Sequence, residues 1–392
     1  MLQEKIDMGY EEKLSALADK HLLRELKYFT AIDATRLMYN DKVILNFSSN
    51  DYLGLSKDIR VIDAAKEELK HSGMGTGASR LISGTLSIHK QLEQRLAAFK
   101  KKENAMVFPT GYMANVGIIT ALFDKNDCII IDKLSHASII DACKMSEANI
   151  RIYPHKNYKR LEEIIAKLPA YEKRCIITDS VFSMDGDCVD LKELIRIKRK
   201  YDALLMIDEA HATGVFGTYG RGLAEEQGVE DDIDISMGTL SKALGGLGGF
   251  VVGSRSFIHY LHNKARSFIY TTALPGPVCA AIIKSIDIVE EDISLRQALW
   301  NNVEIVKNYL QNSLDIKNDF QSPIIPIMVG ETEKALALSC RLLERGYYIP
   351  AVRYPTVPKN KARLRLSLSA KHNVDDILRM LSVLNEEFKR VQ

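Results

Sequence analysis

The sequence lacks the features that mark exported and membrane-embedded proteins. No apolar run approaches the length that spans a bilayer, and the first residues do not have the charged, apolar and small-residue order of a secretion signal. The six cysteines are scattered, with no CxxC pair, which is typical of reduced, buried thiols and not of disulfides or metal ligands. We therefore expect a cytoplasmic protein without a membrane partner.

Nucleotide-binding and metal-binding signals are also incomplete. The DEAH tetrapeptide at 208–211 is not accompanied by the GxxxxGK[ST] phosphate loop of an NTPase, and the glycine-rich segment 243–249 lacks the GxGxxG order of a dinucleotide loop. A metal site at Asp208, Glu209 and His211 would need a further well-spaced ligand, so we expect no metal. A formal net charge of +2 gives no indication of a nucleic-acid partner.

What the chain does have, from residue 105 onward, is a repeated order of apolar strand, turn and helix. The apolar runs are at 105–108, 128–132, 150–153, 175–178 and 203–207. Near-continuous apolar strands separated by helices predict an α/β fold with a mostly parallel sheet that is covered on both faces.

The length of 392 residues is typical of more than one domain. We predict a helical N-terminal arm at 1–45, a large domain at 46–285 and a smaller α+β domain at 286–392. The periodicity predicts that the change between the last two falls within one long helix, from 278 to about 314.

Polar residues follow the predicted strands at the points where those strands end. In open α/β sheets this edge is where ligands bind. Each residue alone has an ordinary alternative, such as a helix cap or a buried core histidine, but they converge on one edge. The residues are Tyr112, His136, Ser183, Asp208, His211, Thr239 and Lys242.

Lys242 lies within SMGTLSKALGGLGGF, after the apolar run 233–237. A single lysine among glycines is more often an exposed loop residue. A sheltered lysine, however, has a lowered pKa and becomes a nucleophile or a base.

Pyridoxal phosphate (PLP) would use these groups. Its pyridine nitrogen requires a buried carboxylate such as Asp208, and its phenolic oxygen a hydrogen-bond partner such as His211. His136 could stack on the ring. The helix that begins near Gly111 and Tyr112 offers N–H groups to the phosphate, and Thr239 adds a hydroxyl.

The sequence resembles the α-oxoamine synthases, which are PLP-dependent acyltransferases of fold type I, the aspartate-aminotransferase fold. The resemblance extends over nearly the whole chain. Its segments are NFSSNDYLGL (46–55), TGYMAN (110–115), LSHASIID (134–141), VFSMDGD (181–187), IDEAHATGVFG (207–217), GTLSKALGG (238–246), PTVP (355–358) and ARLRLSLSAKH (362–372).

The resemblance implies a role for each candidate. Lys242 corresponds to the Schiff-base lysine, Asp208 to the pyridinium partner, His211 to the phenolate partner and His136 to the stacking residue. The implied further cofactor contacts are Gly111, Tyr112, Ser183 and Thr239. The family forms homodimers with a shared site, so Thr271 and Thr272 are expected to reach the phosphate of the partner subunit.

Substrate contacts are implied in the same way. Asn50 and Arg365 resemble the groups that hold the amino-acid carboxylate, and Arg24 and Thr356 match acyl-substrate positions, with His136 also next to the substrate. Glu209 replaces an aspartate that many members have. This difference should not alter the mechanism.

The implied reaction is the decarboxylative condensation of an amino acid with an acyl thioester of coenzyme A or acyl carrier protein. Segments 265–281, 322–330 and 351–358 favour pimeloyl thioester plus L-alanine, giving 8-amino-7-oxononanoate in biotin biosynthesis. The alternative is glycine plus acetyl-CoA, because alanine and glycine differ by one methyl group. A PLP-binding regulatory protein without activity would have lost Lys242 or Asp208, and both are present.

Overall fold

The computed structural model describes residues 2–314, 316 and 319–391, with side chains from residue 9 onward. The described strands, in chain order, are β1 (Thr30–Ala31), β2 (Arg36–Tyr39), β3 (Lys42–Asn46), β4 (Asn104–Phe108), β5 (Cys128–Asp132), β6 (Asn149–Tyr153), β7 (Arg174–Asp179), β8 (Leu204–Asp208), β9 (Ile235–Thr239), β10 (Gly249–Gly253), β11 (Ile324–Gly330), β12 (Tyr347–Tyr348), β13 (Ala351–Val352) and β14 (Ala362–Ser367).

The described α-helices are α1 (Leu2–Ala18), α2 (Ile59–Ser72), α3 (Ser87–Phe99), α4 (Gly111–Leu122), α5 (Ala137–Met145), α6 (Tyr158–Ile165), α7 (Leu191–Lys200), α8 (Leu223–Glu226), α9 (Arg255–Lys264), α10 (Arg266–Ile269), α11 (Gly276–Glu291), α12 (Ile293–Leu314), α13 (Thr332–Glu344) and α14 (Val374–Val391). None of these helices is both long and apolar enough to cross a membrane.

The central feature is a seven-stranded sheet in the order β4-β10-β9-β8-β7-β5-β6. Strands β5 to β9 are parallel to one another, which confirms the predicted mostly parallel sheet. Strand β10 was not predicted as a separate strand, and it is antiparallel to both β4 and β9. Its sequence, GFVVG, directly follows the glycine-rich turn, so β9, the turn with Lys242 and β10 form one hairpin.

Helices cover both faces of this sheet. Along β5, Ile129 and Ile131 pack into the cluster with α4, α5, α9 and α10, whereas Cys128 and Ile130 pack into the cluster with α3, α6, α7 and α11. Alternate residues of one strand therefore enter different cores, as strand geometry requires. This arrangement explains why the strands are apolar throughout.

The predicted long helix from 278 to about 314 is wrong in one respect. The structure has two helices, α11 and α12, because Asp292 leaves the helical region with φ −106° and ψ 81°. A smaller three-stranded sheet, β11-β14-β13, follows them and packs with α13 and α14.

The N-terminal segment differs from a purely helical arm. Helix α1 ends at Ala18, where the N–H groups of Leu22 and Leu23 bind Leu17 O and His21 adopts φ 53°. Strands β1 to β3 follow, and β3 pairs with β12 from the C-terminal part of the chain. The boundaries at 1–45, 46–285 and 286–392 stay predictions.

Candidate active site

A pocket of about 230 Å³ lies at the carboxyl ends of the parallel strands. It brings together most of the residues that the sequence placed at this edge. Those that line it are Tyr112, His136, Asp208, His211, Thr239 and Lys242, and Gly111 lies beside them.

Lys242 stands in the turn between β9 and β10, with its amine directed at a histidine. Its Nζ lies 2.9 Å from His211 Nε2. Burial lowers the pKa of Lys242 to about 8, although the carboxylates of Asp208 and Asp179 act in the opposite direction; Arg365 lowers it further. About a tenth of this amine is therefore neutral at pH 7, far more than for an ordinary lysine, and the neutral form is the one that acts as a nucleophile or base.

His211 is a buried residue with both ring nitrogens engaged. Its Nδ1 lies 2.7 Å from the hydroxyl oxygen of Tyr52, opposite to the nitrogen that faces Lys242. Burial, and then the positive charges of Lys242 and Arg365, hold the pKa of His211 well below its usual value. The ring is accordingly neutral, with one donor and one acceptor nitrogen.

Asp208 ends β8 and its carboxylate is held by two donors. Asn115 Nδ2 donates to Oδ2 at 2.9 Å, and the N–H of Ala210 donates to Oδ1 at 2.9 Å. Asn115 Nδ2 also donates to Ser138 Oγ, while Asn115 Oδ1 is buried without a partner among the described residues. The sequence reasoning did not assign a role to Asn115, although it lies within the TGYMAN segment.

A second carboxylate, Asp179, lies beside Asp208 and was also missed. Its Oδ2 accepts from the backbone N–H of His136 at 2.9 Å. Burial, and then repulsion from Asp208, raise the pKa of Asp179 well above its usual value. Asp179 ends an apolar strand as Asp208 does, and that position was the available signal.

His136 caps α5 at the mouth of the pocket. Its Nδ1 lies 2.8 Å from Ser138 Oγ. Burial lowers the pKa of the imidazole, with Asp208 opposing and Lys242 reinforcing this effect. The ring is fixed by its cap, and one face can receive a flat ligand.

The start of α4 offers an anion site. Thr110 Oγ1 accepts from Met113 N at 3.1 Å, so among the described residues the N–H groups of Gly111 and Tyr112 are left for a ligand. Thr239 and Ser241, whose hydroxyl oxygens lie 2.7 Å apart, line the same end. Strand β10 passes close beneath, since a Cβ at Gly249 would come 2.6 Å from Gly111 Cα.

The two residues predicted to bind the amino-acid carboxylate, Asn50 and Arg365, lie together on the side of the small sheet. Arg365 Nη2 donates to Asn50 Oδ1 at 3.0 Å, and Arg365 Nε donates to Ser183 O at 2.6 Å. Ser183 thus meets Arg365 through its backbone, and its side chain does not line the pocket described above. Two backbone bonds, from Ser367 to Phe47 O and from Ala370 to Tyr52 O, attach the SSNDYLGL turn to this region.

The two predicted acyl-substrate residues also meet. Arg24 Nη2 lies 3.4 Å from Thr356 Oγ1, and both are exposed. Arg353 holds the N-terminal segment in place, because its guanidinium donates to His21 O and to Leu23 O, each at 2.6 Å.

Thr271 and Thr272 do not line the pocket of their own chain. Thr272 forms an isolated antiparallel bridge with Ser79 and is exposed. Exposed apolar side chains lie on the same two segments, with Ile82 81% and Tyr270 72% exposed.

The chain is similar to known proteins in both sequence and fold. The profile of the aminotransferase class I and II family matches residues 42–384. Among solved structures, a serine palmitoyltransferase variant from S. paucimobilis with a bound PLP–myriocin adduct has a TM-score of 0.93 and 32% identity, covering 100% of this chain and 99% of that one. The chain belongs to the aminotransferase class I and II family and has the fold of the PLP-dependent enzymes of fold type I.

Curated relatives narrow the resemblance within that class. The 8-amino-7-oxononanoate synthase of Thermoanaerobacter pseudethanolicus is 42% identical over 368 residues, which cover 94% of this chain and 93% of the relative. 8-Amino-7-oxononanoate synthase 1 of Bacillus subtilis is 38% identical, with 97% of each chain covered. The solved 8-amino-7-oxononanoate synthase of Francisella tularensis is 32% identical, with a TM-score of 0.76 and coverage of 88% and 98%.

Proposed function

We propose that the protein is a PLP-dependent acyltransferase that condenses L-alanine with a pimeloyl thioester, with loss of carbon dioxide, to give 8-amino-7-oxononanoate in biotin biosynthesis. The observation that carries this proposal is the Lys242 amine, 2.9 Å from His211 in a pocket that also contains Asp208. The choice of L-alanine and a pimeloyl thioester as substrates is supported by the names of the curated relatives.

The residues of the pocket fit PLP. Lys242 supplies an amine whose pKa is lowered to about 8, Asp208 a carboxylate for a pyridine nitrogen, and the start of α4 free N–H groups for a phosphate. When bound, PLP supplies an electron sink that stabilises negative charge on the amino-acid Cα. Lys242 would hold the cofactor through its amine, and the same amine would take the proton from the amino-acid Cα.

The other polar groups of the pocket would orient the cofactor. Asn115 and the Ala210 N–H fix the Asp208 carboxylate, so it can face a pyridine nitrogen without rotating. His211 would serve the phenolic oxygen of the cofactor, and His136 would cover its ring. Thr239 and Ser241, with Gly111 and Tyr112, would surround the phosphate.

The amino-acid carboxylate binds at Arg365 and Asn50. Arg365 is buried and is held by Ser183 O, Ser367 Oγ and Asn50 Oδ1. A fixed guanidinium suits a planar carboxylate, since it can donate two parallel hydrogen bonds.

The acyl thioester, carried by coenzyme A or by acyl carrier protein, binds toward Arg24 and Thr356. The free carboxylate at the far end of a pimeloyl chain is a suitable partner for the exposed Arg24 guanidinium, and the Thr356 hydroxyl lies 3.4 Å from it. An acetyl group has no such carboxylate. This difference favours the pimeloyl substrate over the acetyl alternative.

We also propose a cytoplasmic homodimer with a shared site. The exposed Ile82 and Tyr270 belong to the two segments that the Ser79–Thr272 bridge joins, and an apolar surface of this kind is typical of an interface. Thr271 and Thr272 would then complete the phosphate site of the partner subunit. Sedimentation checks this point, because an active monomer would contradict it.

Thiol release tests the reaction itself. Purified protein with PLP is assayed with alanine, glycine and serine, each against pimeloyl, acetyl and palmitoyl thioesters. We expect the highest kcat/KM with alanine and pimeloyl thioester. A preference for glycine with acetyl-CoA, or for serine with palmitoyl-CoA, would contradict the proposed substrates, and no thiol release with any pair would contradict the reaction class.

A further inference from the structure

A continuous chain of hydrogen bonds joins Lys242 to Arg365. Lys242 Nζ lies 2.9 Å from His211 Nε2, and His211 Nδ1 lies 2.7 Å from Tyr52 Oη. Tyr52 Oη lies 3.3 Å from Asn50 Oδ1, which accepts from Arg365 Nη2 at 3.0 Å. Tyr52 stands at the centre of this series of hydrogen bonds. On one side is Arg365, which is proposed to bind the substrate carboxylate, and on the other is the Lys242 amine, which is proposed to remove the proton from the substrate Cα.

Tyr52 is held in place by the turn that carries it. Asp51 accepts from the N–H groups of Leu55 and Ser56 at 2.9 and 3.0 Å, and Ala370 N donates to Tyr52 O at 2.7 Å. The tyrosine side chain is fully buried. Its hydroxyl is therefore fixed between its two neighbours, and only the O–H bond is free to rotate.

In one arrangement of this hydrogen-bond series, each group from Lys242 to Tyr52 donates to the next one, and Asn50 is the last acceptor. Asn50 Oδ1 only accepts, so a bond from Tyr52 requires the hydroxyl to donate to it. Tyr52 Oη then accepts from His211 Nδ1–H, and His211 Nε2 accepts from the ammonium of Lys242.

A second arrangement has the hydroxyl turned toward the histidine. Tyr52 O–H then donates to His211 Nδ1, and Nε2–H donates to a neutral Lys242 amine. This arrangement contains one proton fewer, which is released to solvent through the pocket. The orientation of one hydroxyl thus accompanies a change of histidine tautomer and of lysine charge.

Arg365 acts on both groups through its charge. Burial is the main cause of the lowered pKa of His211 and of Lys242, and the Arg365 guanidinium lowers both further. The other charged or titratable groups that face the pair are Asp208, Asp179 and His136. A carboxylate on Arg365 offsets its positive charge and so favours the arrangement with the proton on Lys242.

We propose that Tyr52 is a positioning residue that couples occupancy of the carboxylate site at Arg365 and Asn50 to the tautomer of His211 and to the proton on Lys242. The proposal rests on the proposed function, since that function assigns the carboxylate site. It adds that occupancy of the carboxylate site favours the Nδ1–H tautomer of His211 together with the protonated amine of Lys242.

The test compares Tyr52→Phe with Tyr153→Phe, which removes the hydroxyl of another fully buried tyrosine that does not line the pocket. Proteins with ¹⁵N-labelled histidine are studied by NMR with and without PLP, before and after addition of propionate, which has the carboxylate of alanine but no amine. His211 is assigned by the signal that His211→Gln loses.

At pH 8, where the Lys242 amine is about half protonated, we expect wild type and Tyr153→Phe without PLP to have both tautomers of His211, with a shift toward the Nδ1–H tautomer on addition of propionate. Tyr52→Phe should show mixed tautomers and no propionate response. Its kcat/KM for alanine should fall about tenfold, the effect of one lost hydrogen bond, while KM for the thioester is unchanged.

Unchanged His211 signals and an unchanged propionate response in Tyr52→Phe would overturn the proposal. If Tyr52→Phe does not fold, the wild-type protein alone decides, because a His211 signal that ignores propionate also overturns it. A wild-type protein that binds PLP and releases thiol while the coupling fails leaves the proposed function intact. Failure of the wild-type protein to bind PLP contradicts the proposed function itself.

Discussion

The two halves of the candidate site are built in different ways. The cofactor half, with Asp208 and Lys242, stands on turns that directly follow neighbouring strands of one sheet. The substrate half joins distant parts of the chain, since 315 positions separate Asn50 from Arg365 and 332 separate Arg24 from Thr356. The first half is fixed by strand ladders, and the second depends on how the N-terminal segment and the small sheet pack against the large one.

The largest effect is expected from removal of the Lys242 amine at the centre of the cofactor half. We expect Lys242→Ala to abolish turnover, a loss of roughly 10⁴-fold or more because both the cofactor link and the base are removed. The fold should persist, since the strands on either side keep their ladder. Thiol release and thermal unfolding check this, with the exposed Lys66→Ala as control. Measurable turnover in Lys242→Ala would refute the role of the residue.

The pH dependence of PLP binding tests the lowered pKa of Lys242 in the cofactor half. A lowered pKa means that Lys242 is neutral above about pH 8, so the rate of PLP binding to apoprotein should rise up to that pH and then level off. Compared with an ordinary lysine, the neutral fraction at pH 8 is roughly 150-fold larger. Stopped-flow absorbance measures the rate. A rate that continues to rise to pH 10 would show an unperturbed amine.

The substrate half is tested by Arg365→Lys. We expect KM for alanine to rise about 10- to 100-fold, because lysine keeps the charge but loses the forked geometry that matches a carboxylate. PLP affinity should stay within about twofold, as Arg365 is not on the cofactor side. Steady-state kinetics and PLP titration separate the two. Equal losses in both quantities would mean that the halves are not independent.

The smallest expected effect comes from loosening the N-terminal segment. Arg353→Ala removes the donors to His21 O and Leu23 O, and should raise KM for the pimeloyl thioester about three- to tenfold through displacement of Arg24. KM for alanine should not change. The matched control is Arg379→Ala, which removes an exposed arginine that pairs with Asp376. A change in KM for alanine alone would place the acyl substrate elsewhere.

The sequence was most informative for the cofactor half. Apolar strands ending in polar residues predict a shared edge, and the structure brings His136, Asp208 and Lys242 to one pocket. The antiparallel strand β10 was missed because GFVVG is short and continues a glycine-rich turn. Its direction depends on pairing with β4, which no local pattern contains.

Residues that contact the predicted site residues were harder to find from the sequence. Tyr52 and Asn115 lie within segments that the sequence singled out, but their side chains contact His211 and Asp208, and such contacts depend on tertiary packing. The break at Asp292 was missed for a similar reason, since both flanking helices have apolar periodicity and no glycine or proline separates them. Neither pattern nor propensity indicates which residue leaves the helix.

The hairpin formed by β9 and β10 has a consequence for synthesis of the protein. All the strands of the large sheet have been translated once residue 253 has been made, and domains generally fold as units during translation, beginning at the N-terminus. Arg365 and Thr356 leave the ribosome more than a hundred residues later. A nascent chain therefore contains every residue that lines the pocket at Lys242 before Thr356 and Arg365 have been translated.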